Sequence, residues 1–171
     1  MRLRRSLQAC VVAVAATACA LASAAQAQGL EYAVKAAFLT KFAAFVSWPP
    51  GVSAGPVRVC VVGDDPFGPA IESAAAGQVV VRRMPAVDRA SGCQVLYASG
   101  SSRQSVAQAL QAVRGAPVLT VTDATRGGPR GMIHFVVFQD RVRFHVDAAQ
   151  AAQAGLSISS KLLALGLSVK R

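Results

Sequence analysis

VRVCVVGDDPFG, residues 57–68, is the segment on which the fold turns. Val57, Val59, Cys60, Val61 and Val62 are apolar with almost no alternation, the pattern of a strand covered on both faces in a parallel α/β sheet. The run stops at Gly63, which permits a tight exit. Asp64 or Asp65 can accept hydrogen bonds from the free N–H groups of a following helix, and Pro66 suits that helix's first position. A strand therefore hands over to a helix, predicted over 65–76 and closed by Gly77. Such junctions are where α/β sheets place ligands.

Downstream, the alternation continues. Residues 78–84 read as a second strand whose Arg82 and Arg83 mark an edge. Residues 93–98, CQVLYA, read as a third. Ser101 to Gln104 supplies a capping-box pattern for a helix bearing Val106, Ala109, Leu110 and Val113, and residues 118–122 form a fourth strand ending at Thr122-Asp123. Strands and helices with short connections imply a parallel sheet with right-handed crossovers. The last third differs: residues 132–138 and 141–146 read as an antiparallel hairpin turning at Gln139-Asp140. Asp147 caps an alanine-rich helix, Gly155 interrupts it, and Ser159-Ser160 start a final turn carrying Leu162, Leu163 and Leu165. The expectation is one three-layer α/β domain, a mostly parallel sheet with a C-terminal antiparallel hairpin.

Upstream, LEYAVKAAFLTKFAAFVSW at 30–48 has helical content, with Leu30, Val34, Ala37, Phe38, Phe45 and Val46 gathered on one side and Pro49-Pro50-Gly51 as the stop. Phe38, Phe42, Phe45 and Trp48 are four of the ten aromatic residues in the chain, more than one helix face must bury. With Lys41 near the middle of the stripe, they form the candidate partner-binding surface.

The first residues are a leader by pattern. Arg2, Arg4 and Arg5 form a basic start, residues 7–21 are apolar, and Ala25-Gln26-Ala27 offers small residues at a cleavage point. Residues 1–27 are expected to be a secretory signal peptide cleaved after Ala27, leaving 28–171 as the mature domain. Removing three arginines and no acid lowers the net charge from +10 to +7. Of the four cysteines, Cys10 and Cys19 depart with the leader, and Cys60 and Cys93 enter an oxidising compartment, where a disulfide is the expectation and two buried thiols the alternative.

No reaction site assembles. Asp64-Asp65 invites comparison with the Mg²⁺-binding acids of receiver domains, yet the third strand ends Tyr97-Ala98-Ser99, without a phospho-accepting aspartate. The basic loop Arg126 to Gly131 lacks the lysine and hydroxyl of a P-loop. Ser159-Ser160-Lys161 reads as a helix cap rather than a nucleophile pair, and His134 and His145 fall in the hairpin without triad partners. Two cysteines and two histidines lack zinc spacing. Neither cofactor nor metal is expected, and the positive charge suits acidic membrane or protein surfaces rather than nucleic acid.

Six ordered blocks carry a resemblance: EYAVKAAFLTKFAAFVSWP, VCVVGDDPFG, CQVLYAS, PVLTVTD, GGPRGMIHF and VRFHVDAAQAAQAGLSISSKLLAL. Together they resemble the YfiR family of bacterial periplasmic proteins along the whole mature chain, at positions including Lys35, Phe38, Phe42, Trp48, Cys93, Thr120, Asp123 and Phe144. The resemblance implies a non-enzymatic periplasmic regulator, peripheral to the membrane. It would bind and repress the sensor part of an inner-membrane diguanylate cyclase or related receptor, tuning cyclic-di-GMP and biofilm behaviour; homodimerisation is compatible with it. The founding member's second cysteine pair has no counterpart here, since residues 132–165 contain no cysteine. The alternative is a periplasmic small-ligand sensor without cyclase control.

Overall fold

The structure, a computed structural model that describes residues 26–52 and 55–171, places helices on both faces of a seven-stranded sheet. Of the leader expected over 1–27, residues 1–25 lie outside the described residues. Residues 26–42 form helix α1, followed by a 3-10 turn at Ala43–Phe45 and the short strand β1 (Val46–Ser47). Next come β2 (Val57–Gly63), α2 (Ala70–Ala75), β3 (Val79–Met84), β4 (Val95–Gly100), α3 (Val106–Ala112) and β5 (Leu119–Asp123). The chain ends with β6 (Ile133–Phe138), β7 (Arg141–Asp147), α4 (Ala148–Gln153), β8 (Ser157–Ile158), α5 (Ser160–Leu165) and β9 (Ser168–Lys170).

The main sheet runs β3-β2-β4-β5-β6-β7-β9. It is parallel from β3 to β6, antiparallel between β6 and β7, and parallel again between β7 and β9. β1 and β8 form a separate antiparallel pair. Continuous burial of Val59 to Val62 follows from cover on both sides. Val59 and Val61 join the core beneath α1, α2 and α5, while Cys60 and Val62 join a smaller core beneath α3. A disulfide joins Cys60 to Cys93 across that smaller core, with Cα atoms 5.7 Å apart. Gly63 (φ +92°) is required where β2 ends, because a Cβ there would collide with the Gly100 backbone.

Several local expectations shift. The helix after β2 starts at Ala70 with Pro69 as its N-cap, not at Asp65. Phe67 is drawn into the core against Tyr32 and Tyr97, and Gly68 at φ +52° breaks any helix through it. Asp65 instead accepts the Phe67 N–H at 2.8 Å. The capping box lies at Ser105 and Gln108, because the Gln104 side chain is spent on both backbone groups of Val87. β4 starts at Val95, past Cys93. The hairpin turn at Gln139 (φ 51°) and Asp140 (φ 56°) and the caps by Asp147 and Ser159 are as expected.

The largest correction concerns α1. It stops at residue 42 because Val46 and Ser47 pair with Ile158 and Ser157. Its buried side is Tyr32, Lys35, Ala36, Leu39 and Phe42, an i, i+3, i+4, i+7 set. The stripe expected to face the core divides: Leu30, 68% exposed, and Val34, 37% exposed, point outward, whereas Phe38 and Phe45 pack against the core and Val46 is buried in it.

Candidate functional site

Two features stand out where α1 crosses the sheet: a buried ionic cluster beneath it and an apolar stripe on its outer side. The cluster forms at the carboxyl end of β5. There Asp123 is the N-cap of a 3-10 turn (Ala124–Arg126), its Oδ1 accepting the Thr125 N–H at 2.9 Å and the Thr125 hydroxyl at 2.9 Å. Its second oxygen, Oδ2, receives Lys35 Nζ at 2.6 Å and the Tyr97 hydroxyl at 3.2 Å. Lys35, 0% exposed, also donates to Glu31 one turn earlier and lies 4.7 Å from the centroid of the Tyr32 ring. The Tyr32 hydroxyl closes the set on Thr125 Oγ1 at 2.9 Å.

Burial pushes the Lys35 ammonium down, but hydrogen bonds to Asp123 and Glu31 outweigh it and leave its pKa raised. Burial, reinforced by the charge of Asp123, drives the Tyr97 phenol upward. Lys35 therefore stays cationic and Tyr97 neutral at physiological pH. A paired, water-excluded lysine offers neither a general base nor a nucleophile. The arrangement fixes the register of α1 on the sheet instead. These residues lay outside the expected site, although the 32-35-36-39-42 spacing marks Lys35 as a member of the buried face.

The candidate partner-binding residues divide. Phe42 is 1% exposed, stacked on Phe135 at 5.6 Å and edge-on to Phe144 at 5.2 Å between centroids, so it is core and not a contact surface. Phe38 packs on the same cluster but keeps part of its ring exposed, as do Phe45 and Trp48. Lys41 is exposed. At 100° per residue, Leu30, Val34, Ala37 and Lys41 share the outer side of α1, with Phe38 on its flank. The Trp48 indole N–H is the one buried side-chain polar atom without a hydrogen-bond partner among the described residues.

The remaining sequence candidates have structural uses. Asp65 pairs with Arg83 at 2.6 Å, and Glu72 joins them, anchoring β3 to α2. Hydrogen bonding to Glu72 and Asp65 raises the Arg83 pKa, and the same guanidinium lowers that of Glu72. Arg126 donates to Ser99 Oγ at 2.7 Å and to the Asp64 carbonyl at 3.3 Å, so the first arginine of the glycine-rich loop is engaged. Ser159 Oγ accepts the Leu162 N–H at 3.4 Å, as a cap does.

A sequence profile described as YfiR/HmsC-like matches residues 32–166. No curated protein matches the chain.

Proposed function

The chain belongs to the YfiR/HmsC-like family, and from that premise we propose that it is a periplasmic regulator of diguanylate cyclase signalling. In this reading it binds, and represses, the periplasmic sensor part of an inner-membrane cyclase or related receptor. Its role is regulatory rather than catalytic. The Cys60–Cys93 disulfide agrees with an oxidising compartment, and no helix among the described residues is long and apolar enough to cross a membrane.

The observation that carries the reading is the outer side of α1. Its inner side is already satisfied by the sheet, yet Leu30, Val34 and half-buried Phe38 present apolar surface around Lys41. A helix apolar on both sides has a use for the second one, and a groove on a partner is a recurrent use. A photo-crosslinking residue at position 34 in intact cells, followed by identification of the captured membrane protein, tests it. Capture of a diguanylate cyclase, with a rise in cyclic-di-GMP when the gene is deleted, is expected. Capture at position 80, on the remote edge strand, but not at position 34 would overturn the assignment of the surface.

The small-ligand sensor remains as a second reading because one observation favours it. An open groove of about 1030 Å³ runs between α3, the loop at Pro129-Arg130 and the end of α4.

A further inference from the structure

The far side of the sheet, opposite α1, carries an unexplained polar row. Thr122 of β5, His134 of β6, His145 of β7 and Ser168 of β9 are consecutive partners across four strands. His134 Nδ1 lies 2.8 Å from Thr122 Oγ1, and His145 Nδ1 lies 2.6 Å from Ser168 Oγ. Each hydroxyl thus engages Nδ1 and leaves Nε2 as the free ring nitrogen. Thr122 Oγ1 already accepts the Gly131 N–H at 2.8 Å, so its own hydrogen can go to His134 Nδ1. That tautomer carries its ring proton on Nε2 and presents it as a donor.

Both imidazoles line a cleft of about 460 Å³ walled by Arg130, Gln150, Gln153 and Lys170. Asp147 is the acid at its rim, and it is occupied, bonding Lys170 at 3.1 Å and the Gln150 N–H at 2.8 Å. Arg130 forms no ion pair among the described residues. The donors outnumber the acceptors, and the net charge is positive. Two histidines beside an arginine are a poor cation site, since no group of three or more ligating side chains occurs among the described residues.

The cleft adjoins the larger groove, with Arg130, Gln150 and Gln153 common to both. That groove is lined on its apolar side by Leu110, Val113 and Met132. A molecule with a negative head and an apolar body would place the head on Arg130 and the histidines and the body along α3.

We propose that the cleft between Arg130, His134 and His145 is a binding site for a small organic oxyanion whose apolar part lies in the groove beside α3. The proposal stands independently of which partner α1 meets. Burial and the Arg130 charge hold both histidines below their ordinary pKa, so they meet the ligand as neutral imidazoles near pH 7, with His134 offering its Nε2–H as a donor. Lys35 and Asp123 act on His134 from behind the sheet. Arg143 continues the same side of β7, one pleat beyond His145.

The test follows the histidine Cε1–H resonances of the purified protein during titration with phenyl phosphate, with inorganic phosphate and benzylammonium as comparisons. Both resonances should shift with phenyl phosphate, and inorganic phosphate should bind at least about tenfold more weakly for want of the apolar part. Arg130→Glu reverses an exposed charge that has no ion pair among the described residues, so folding is expected to persist while affinity falls by at least about tenfold. Unmoved histidine resonances, or an undiminished affinity in Arg130→Glu, overturn the site. Equal affinity for the two phosphates overturns the groove's part in it, and equal binding of benzylammonium overturns the oxyanion preference.

Discussion

Lys35 and Asp123, 88 residues apart in the chain, meet with Nζ 2.6 Å from Oδ2, both side chains wholly screened from water. A pair of this kind adds little over a well-packed apolar replacement, but breaking it strands a buried charge. Lys35→Met or Asp123→Leu alone is expected to cost about 3–5 kcal/mol, and the double variant less than the sum of the two. Urea unfolding of the three variants measures the coupling. Strict additivity would show that the two residues do not act as a pair.

The same lysine predicts an alkaline limit. Its pKa in the fold lies above the ordinary value of 10.5, so the protonated form is favoured by folding. That stabilisation is complete below about pH 10.5 and declines as pH climbs through the raised value. Thermal melts through this range should show a steeper decline for the native protein than for the double variant.

The histidines predict the opposite limit. His134 and His145 are depressed by burial, with the Arg130 charge adding to it, from an ordinary value of 6.5. The fold therefore favours their neutral forms, and stability present above pH 6.5 declines as pH falls through the lowered values. His134→Leu should flatten the melting temperature between pH 7 and pH 5; an unchanged slope would show that other groups set it.

Reduction of Cys60–Cys93, which closes a separation of 33 residues, should lower stability by about 3–4 kcal/mol on the chain-entropy estimate. Urea midpoints with and without reductant measure this, and alkylation of Cys60 and Cys93 in the unreduced, denatured protein would contradict the bond itself.

On α1, the two sides should respond differently. Phe42→Ala opens a cavity against Phe135 and Phe144 and is expected to cost about 3–5 kcal/mol of stability. Val34→Glu and Lys41→Glu, on the exposed side, should leave the melting temperature nearly unchanged and weaken capture of the proposed membrane partner. Unchanged capture in both would move the interface off the helix.

Local chemistry determined much of this protein. The unbroken valine run at 57–62, the Gln139-Asp140 turn, the Asp147 and Ser159 caps and the edge position of Arg82 and Arg83 all express preferences of a few neighbouring residues. What tertiary structure decided is where a local pattern admitted two answers or none. α1 is apolar around much of its circumference, so its period alone could not say which side meets the sheet. Packing of Tyr32, Leu39 and Phe42, with Lys35 reaching Asp123, settled it. β1, β8 and β9 are too short to carry a period and exist through partners distant in the chain. The histidine row arises partly the same way: the Gln139-Asp140 hairpin already sets His134 opposite His145, but nothing near them announces Thr122 or Ser168, which only the register of β5 and β9 brings alongside.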